Sequence, residues 1–311
     1  MEVLTRDGPA EIVPADAVDA LWPDAAAALD AMAPTRSGPG DAEADWPMVM
    51  GVVNVTPDSF SDGGAFDGAS AAVDHALALA EQGADILDIG GESTRPGAEP
   101  VPEAEEIDRV MPVIEGILAS GCAVPISIDT RKASVARAAL MAGARIFNDV
   151  SALTYDAGSL SAAALAPAIC LMHAQGDPRT MQNDPRYDNV VLDVYDYLES
   201  RIQAVIGAGI PRSRLIVDPG IGFGKTLTHN VSLLNHLSLF HGLGCALLLG
   251  VSRKGFIGRL GGEPDAAKRG PGSIAAGLSG LDQGVHILRV HDVAETVQAV
   301  RVWKGMKGER V

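Results

Sequence analysis

Short apolar segments rich in β-branched residues recur along the chain, and each of them ends at a polar or ionisable residue. The segments lack the alternation of a half-exposed strand, so both faces of each segment are expected to be buried. Alanine- and leucine-rich stretches with helical spacing lie between them. The eight segments end at Asn54, at Glu92 and Thr94, at Asp129, at Asn148, at His173, at Asp218, at Ser252 and Lys254, and at Arg289 and His291.

This alternation predicts the fold. A strand followed by a helix, repeated about eight times over about 250 residues, is typical of a (β/α)8 TIM barrel, which is an α/β fold. The carboxyl ends of the strands in such a barrel form one face, and that face carries the active site. The polar residues that end the eight segments are therefore expected to meet around a single site.

The first 46 residues differ from the rest because they are rich in Ala, Asp and Pro. We predict that residues 1–46 are an N-terminal extension and linker, and that residues 47–311 form the barrel. Residues 2–13 could form a hairpin or be locally disordered. The connections at 55–69 and 93–101 are long enough to act as lids. Helices are predicted at 70–82, 102–120, 132–142, 158–166, 188–208, 229–241, 272–283 and 292–304.

The composition narrows the class of protein. The formal net charge of −16 argues against nucleic acid and anionic membranes as partners, because both bind basic patches. The three cysteines, Cys122, Cys170 and Cys245, have no metal-ligand spacing and indicate reduced, buried thiols in a cytoplasmic protein. The sequence contains no apolar run as long as a membrane span and no pattern of a signal peptide.

Several of the strand-end residues can bind an anion. Asn54 offers a neutral oxygen suited to Mg²⁺ that is held mainly by substrate phosphates. Thr94 and Arg95 can bind phosphate, and Arg95 keeps its charge at any physiological pH. Arg289 and His291 are two residues apart in a strand, so their side chains share one face. Each interpretation has an alternative. Asn54 could belong to an ordinary surface turn, Arg95 could pair with a glutamate, and His291 could be a structural histidine.

Other strand-end residues suit a flat heterocycle. Asp129, Asn148 and Asp218 are expected to be buried, and buried acceptors need donors such as the N–H and NH₂ groups of a planar ring. Asp218 can accept two parallel hydrogen bonds from a guanidine-like edge. Phe223 could stack on such a ring and Met172 could cover it. The alternative for the two aspartates is that they cap the following turn or helix.

Three further features are the glycine-rich stretch at 219–225, Lys254 and His173. The glycine-rich stretch at 219–225 resembles a phosphate loop, but its spacing is wrong and it follows a barrel strand, so we reject a nucleotide site. Its glycines are expected to let the backbone approach a flat ligand. Lys254 follows the seventh strand, where these barrels often bind phosphate. His173 is interpreted as a structural residue.

Eight segments, in order and in register from about residue 50 to about residue 302, resemble the bacterial dihydropteroate synthase family, the sulfonamide-targeted enzymes of folate biosynthesis. The segments are MGVVNVTPDSFSDGG, DIGGESTRPGA, ISIDT, FNDVSAL, LMHAQGDPRTMQ, IVDPGIGFGKTLTHN, GVSRKGFIG and ILRVHDV.

The resemblance implies a transferase that condenses (7,8-dihydropterin-6-yl)methyl diphosphate with 4-aminobenzoate to give 7,8-dihydropteroate and diphosphate. It implies that Asn54 binds Mg²⁺ and that Arg289 and His291 hold the diphosphate. The residues implied to hold the pterin are Thr94, Asp129, Asn148, Asp218 and Lys254. The residues implied to border the aminobenzoate are Phe60, Pro96, Phe223 and Ser252. The expected catalytic set is Asp129, Lys254, Arg289 and His291, and Arg95 and Met172 complete the expected substrate contacts.

Two alternatives remain beside this function. A pterin-binding methyltransferase barrel resembles this fold, but it would not need the two long loops or the pair Arg289 and His291. A paralogue that binds pterin without catalysis is the second alternative. The expected partners are the two small-molecule substrates, with no nucleic acid and no membrane. The habit of the family suggests a homodimer.

Overall fold

The computed structural model describes residues 2–3, 11–13, 46–55, 65–93, 98–176 and 179–308. Among these residues, eight parallel strands close into a barrel in the order β10-β3-β4-β5-β6-β7-β8-β9. Each barrel strand is followed by a helix, so the predicted TIM barrel is confirmed. The strands are β1 (Glu2–Val3), β2 (Glu11–Ile12), β3 (Met48–Asn54), β4 (Ile86–Gly90), β5 (Ile126–Asp129), β6 (Ile146–Asp149), β7 (Ala168–Met172), β8 (Leu215–Asp218), β9 (Ala246–Leu249) and β10 (Ile287–Val290).

The helices surround this barrel. They are α1 (Ala65–Glu81), α2 (Glu103–Ala119), α3 (Ala133–Ala142), α4 (Ser159–Ala163), α5 (Val190–Gly207), α6 (Leu227–Asn235), α7 (Gly255–Gly261), α8 (Gly270–Leu281) and α9 (Val293–Lys307). Short 3-10 helices cover Arg212–Arg214, Leu237–Leu243 and Ala266–Lys268.

Three helices differ from the sequence prediction by more than three residues. Helix α1 begins at Ala65 rather than at residue 70, so the connection after β3 is shorter than predicted. The helix predicted at 229–241 is divided into α6 and the 3-10 helix Leu237–Leu243. Helix α7 was not predicted, because its glycines have low helix propensity. Phe256 and Ile257 of α7 are each 7% exposed, so tertiary packing stabilises a helix that the local sequence does not favour.

The apolar residues form two clusters on opposite sides of the strands. The larger cluster lies between the strands and the surrounding helices. The smaller cluster alternates with it along each strand and fills the barrel interior, and it includes Met50, Ile146 and Ile216. Trp46 packs against this inner cluster, and its ring lies 4.9 Å from the ring of His286. The amino end of the barrel is therefore filled by side chains.

The register of the strands places the strand-end residues at one level. Asn54 is paired with Gly90, Gly90 with Asp129, and Asp129 with Asn148. Since every second residue of a strand faces inward, these positions share the interior face at the carboxyl end of the barrel. The register therefore brings residues that are distant in sequence to one rim.

Near the N-terminus, β1 and β2 form an antiparallel ladder, as in the hairpin alternative. The division of the chain after residue 46 stays a prediction. None of the three cysteines, all of which the structure describes, forms a disulfide; Cys170 and Cys245 are buried, whereas Cys122 is only half-buried. Within the described part of the chain, no helix combines the length and the apolar character needed to cross a membrane.

Candidate active site

An arginine and two carboxylates form the centre of the site at the carboxyl end of the barrel. Nε of Arg289 in β10 donates to Oδ2 of Asp88 in β4 at 2.6 Å, and Nη2 donates to Oδ2 of Asp129 at 2.6 Å. Asp88 is fully buried. Arg289 therefore spans the barrel mouth and joins β4, β5 and β10.

Asp88 is a site residue that the sequence reasoning missed. It lies inside an apolar segment, whereas the polar residues that end that segment in the sequence pattern are Glu92 and Thr94. The signal was present: Asp88 is two residues before Gly90, so the period of a strand turns it to the same inward face. Nδ2 of Asn148 lies 3.3 and 3.4 Å from the two oxygens of this carboxylate.

Burial and the neighbouring charges shift the pKa values of Asp129 and Arg289. Burial raises the pKa of Asp129 to about 7, with a further increase from Asp88, although Arg289 acts in the opposite direction. Burial alone would lower the pKa of Arg289, but Asp88 and Asp129 outweigh it and the pKa is raised. The arginine is thus a permanent cation beside a carboxyl that titrates near neutrality.

Asp218 and Lys254 form the second part of the site. Oδ1 of Asp218 accepts a hydrogen bond of 2.7 Å from the backbone N of Gly220, so the predicted alternative of a turn cap applies to one of its oxygens. Nζ of Lys254 donates to the carbonyl of Ile221 and lies 4.8 Å from the ring centroid of Phe223. Burial lowers the pKa of Lys254 to about 8, although Asp218 favours its charged form.

The two parts meet around Gly250, which follows β9. A Cβ atom at this glycine would lie 3.7 Å from Oδ2 of Asp218, 3.7 Å from Nζ of Lys254 and 4.0 Å from Cβ of Arg289. The side chains of β8, the β9 loop and β10 therefore converge on a point that the backbone of a glycine leaves open.

Ser252 and His291 lie on the same side of the rim. Oγ of Ser252 accepts a hydrogen bond of 3.1 Å from the backbone N of His291 and lies 2.9 Å from Nδ1 of its imidazole. This contact fixes the orientation of the ring. Ser252 was expected beside the aminobenzoate, and its hydroxyl also serves the histidine.

The structure places His173 in a different kind of environment. Its Nδ1 lies 2.8 Å from Nζ of the buried Lys225, which also donates to the carbonyl of Phe223 at 3.0 Å. Burial, together with the charge of Lys225, lowers the pKa of His173 to about 2. A neutral imidazole in these contacts fits the interpretation of His173 as a structural residue. Met172, the preceding residue, is buried and paired in register with Asp218.

The glycines of the loop after β8 serve a purpose that the sequence did not indicate. Gly220 and Gly224 have φ of 69° and 61°. A Cβ atom at Gly220 would lie 1.8 Å from the carbonyl oxygen of His173, and one at Gly224 would lie 2.3 Å from that of Gln175. These two glycines therefore allow the loop to pack closely on the loop after β7, whereas an approach to a flat ligand was expected.

Glu92, one of the polar residues that end the second apolar segment, belongs to a separate ion cluster. Nη2 of Arg131 donates to Glu92 at 2.6 Å, and Nζ of Lys132 contacts both Glu92 and Glu106. Lys132 and Glu106 are buried. The cluster holds the start of the loop after β4 against α2 and the start of α3.

Four predicted site residues, Phe60, Thr94, Arg95 and Pro96, lie outside the described residues, and their roles stay predictions. Asn54 is half-buried at the end of β3. In the part of the chain that the structure describes, no group of three or more His, Cys, Asp or Glu side chains could hold a metal ion. A single neutral oxygen at Asn54 fits a Mg²⁺ ion whose other ligands are substrate oxygens and water.

The fold and the strand-end site define a class of enzyme, and comparison with known proteins agrees with it. The family model described as "Pterin binding enzyme" matches residues 50–291. The chain therefore belongs to the family of pterin-binding enzymes.

Within this family, the chain is similar to dihydropteroate synthases, which confirms the resemblance inferred from the eight segments. The dihydropteroate synthase of Neisseria meningitidis serogroup C is 50% identical over 266 residues, which are 84% of this chain and 93% of the relative.

Solved structures are similar as well. The structure of Xanthomonas albilineans dihydropteroate synthase with 4-aminobenzoic acid matches with a TM-score of 0.80 and 50% identity, covering 86% of this chain and 95% of that one. The enzyme of the same organism in complex with 7,8-dihydropteroate matches with a TM-score of 0.77 and 48% identity, with the same coverage of both chains.

Proposed function

We propose that this chain catalyses the dihydropteroate synthase reaction. It transfers the pterinylmethyl group of (7,8-dihydropterin-6-yl)methyl diphosphate to the amine of 4-aminobenzoate and releases diphosphate. The observation that carries the proposal is the convergence of Asp218, Lys254 and Arg289 around Gly250, in a chain that is 50% identical to a dihydropteroate synthase over most of its length.

The pterin is bound by the acidic side of the mouth. Asp129, Asn148 and Asp218 accept hydrogen bonds from the N–H and NH₂ groups of the ring, and Asp218 accepts two parallel bonds from its guanidine-like edge. Lys254 donates to an acceptor atom of the same ring. Two carboxylates also favour a ring that becomes electron-poor as the diphosphate departs.

The leaving diphosphate is stabilised by the basic side of the mouth. The contacts of Arg289 with Asp88 and Asp129 use two of its five N–H donors, and the donors on Nη1 lie outside these contacts and can bind phosphate oxygens. His291, oriented by Ser252, donates a second hydrogen bond. Asn54 would hold Mg²⁺, which neutralises charge on the diphosphate when it is bound.

The aminobenzoate binds beside Phe60, Pro96, Phe223 and Ser252. Loss of diphosphate leaves a cation at the methylene carbon, and the ring delocalises this charge. The arylamine attacks the carbon directly, a new C–N bond forms, and the amine proton is lost to solvent. The protein therefore needs no nucleophile of its own, and its work is to orient the two substrates and to stabilise the leaving group.

Release of diphosphate, measured with and without 4-aminobenzoate, tests the function. In the presence of 4-aminobenzoate, a synthase releases diphosphate and forms dihydropteroate in equal amount. A methyltransferase barrel would release none but would transfer a methyl group with a corrinoid partner. A paralogue without activity would bind pterin and do neither, and either of these results would refute the proposal.

Three finer properties belong to the same proposal. The metal is Mg²⁺. The test removes metal by chelation, adds back Mg²⁺ or Ca²⁺, and measures the rate of diphosphate release. The chain forms a homodimer. The exposed apolar side chains Leu260, Val302 and Met306 on α7 and α9 support this, and analytical ultracentrifugation measures the mass of the assembly. The enzyme acts in the cytoplasm. This is supported by three cysteines that form no disulfide, and cell fractionation tests it.

A further inference from the structure

We propose that Arg253 and Asp292 form a positioning pair, which holds the loops after β9 and β10 together so that His291 is aligned for the diphosphate. Neither residue was among the predicted site residues. The inference rests on the proposed function, because it assigns a role in binding the diphosphate of that reaction.

The places of the two residues in the chain suggest this role. Arg253 lies between Ser252 and Lys254, and Asp292 directly follows His291. Each member of the pair is therefore the immediate neighbour of a residue in the proposed site, and the two members belong to different loops. A contact between them fixes one loop relative to the other.

The contact has two points. Nε of Arg253 donates to Oδ2 of Asp292 at 3.1 Å, and Nη2 donates to Oδ1 of the same carboxylate. A planar guanidinium bonded through two nitrogens sets the orientation of the carboxylate as well as its distance, which a lysine at this position does not do. The side chains are 33% and 20% exposed.

The side chain of Asp292 does not make the hydrogen bond that is usual at its position. Asp292 occupies the N-cap of α9, where an aspartate commonly accepts a hydrogen bond from the first turn of the helix. Its side chain makes no such bond. The carboxylate contacts Arg253 instead, so its orientation serves the link between the loops rather than the start of α9.

The backbone of Arg253 is fixed in an unusual conformation. Its φ is 57°, a left-handed value that residues with a side chain rarely adopt. Its N–H donates to Oγ of Ser273 at 2.8 Å, and its carbonyl accepts from Nη1 of Arg269 at 3.1 Å. Such a conformation persists where the surroundings determine it from several sides, often at functional sites. The turn it creates brings the hydroxyl of Ser252 to His291.

The test compares Arg253→Lys, Arg253→Gly and Asp292→Asn with the unchanged enzyme. Glycine accepts the left-handed backbone without strain, so Arg253→Gly removes the fork while keeping the turn. The matched control is Arg186→Lys, because Arg186 forms an exposed ion pair with Asp184, with side chains 84% and 67% exposed. Calorimetry measures the affinity for inorganic diphosphate with Mg²⁺ and, separately, for a pterin that has no diphosphate. Steady-state kinetics give KM for both substrates.

We expect the three variants to bind diphosphate about tenfold more weakly or worse, because small displacements of an oriented group have large effects. KM for the pterin diphosphate rises in parallel, whereas the affinity for the bare pterin and all values for Arg186→Lys stay unchanged. Unchanged diphosphate affinity in Asp292→Asn and Arg253→Gly would overturn the inference. An equal loss of diphosphate and pterin binding would overturn it too, since that is the result of general damage to the fold.

The failure of this inference is distinguishable from failure of the proposed function. If the unchanged protein releases no diphosphate in the presence of aminobenzoate, the proposed function is wrong. If the unchanged protein is active and the variants equal it in diphosphate affinity, only the positioning pair is wrong. Asp292→Asn keeps the size of the side chain, so it supplies the result if the arginine variants do not fold.

Discussion

The two ends of the barrel interior are built from the same strands but have opposite character. Towards the amino ends, the interior is apolar and closed, as at Ile216 in β8 and Ile287 in β10, which are 2% and 0% exposed. Two residues further along the same strands, the interior carries Asp218 and Arg289. On these two strands, the residues that fill the apolar core and the residues of the proposed site thus lie about 7 Å apart.

The physical reason is that a buried charge costs stability unless it is paired. Asp88 and Asp129 both pair with Arg289, whereas Oδ2 of Asp218 and Nζ of Lys254 lie at the point beside Gly250. The apolar end stabilises the barrel, and this permits the other end to keep polar groups whose hydrogen bonds a ligand completes under the proposed function. The four predictions below test this division, beginning with the largest effect.

Asp218→Ala is expected to abolish pterin binding while the barrel stays folded. The variant leaves the N–H and NH₂ groups of the pterin without acceptors, and the loss of hydrogen bonds in a site built around them weakens binding by a factor of about 10⁴ or more. The barrel stays folded because removal of the buried carboxylate also removes the cost of burying it. Calorimetry measures the affinity and circular dichroism the fold. A native spectrum together with unchanged pterin affinity would contradict the assignment of Asp218.

Ile216→Ala, two residues earlier on the same face of β8, is expected to have the opposite effect. Its free energy of unfolding should fall by about 2–5 kcal/mol, because a fully buried side chain is replaced by a cavity. The pterin affinity of the folded protein should stay the same. Urea unfolding and calorimetry below the unfolding transition measure the two quantities, and a large loss of affinity would show that the two ends are not independent.

Loss of the proton from Lys254 at alkaline pH is expected to lower the activity of the enzyme and to raise its stability. Its pKa is lowered to about 8 from 10.5, so kcat/KM should fall as the pH rises above about 8 and the ammonium is lost. Between these pH values the unfolded chain binds more protons at this residue than the folded chain, so its contribution to stability rises with pH.

The control for this prediction is Lys254→Arg, which keeps its charge throughout this range. The variant should lack the alkaline decline of kcat/KM, whatever its absolute rate, and should lack the rise in stability measured by urea unfolding. An alkaline decline at the same pH in the variant would assign the titration to another group.

The smallest effect is expected at the boundary between the two ends, where Cys170 is paired in register with Asn148. Burial raises the pKa of the Cys170 thiol, with further increases from Asp218 and Asp88. We expect iodoacetamide at pH 8 to label the half-buried Cys122 first and to leave activity unchanged. Mass spectrometry identifies the labelled residue, and early labelling of Cys170 would show that the barrel opens.

Much of the fold was predictable because its signal is local. Apolar segments that end in a polar residue and are followed by helical spacing can be recognised without knowledge of the packing, and the closed barrel follows from their number. Helix α7 could not be predicted in this way, because Phe256 and Ile257 stabilise it through contacts with distant residues. The meeting of side chains at one rim was predictable where polar residues end a segment, as at Asp129, Asn148 and Asp218.

The sequence by itself determined the order of strands and helices, the end of the barrel that carries the site, and the family of enzymes to which the chain belongs. Only the tertiary structure decided which partners those residues take. It paired Arg289 with Asp88, Lys225 with His173, and Arg253 with Asp292. The reason is that period and composition record which face a side chain occupies, whereas its partner across the barrel depends on register and closure, which bring together residues up to 201 positions apart.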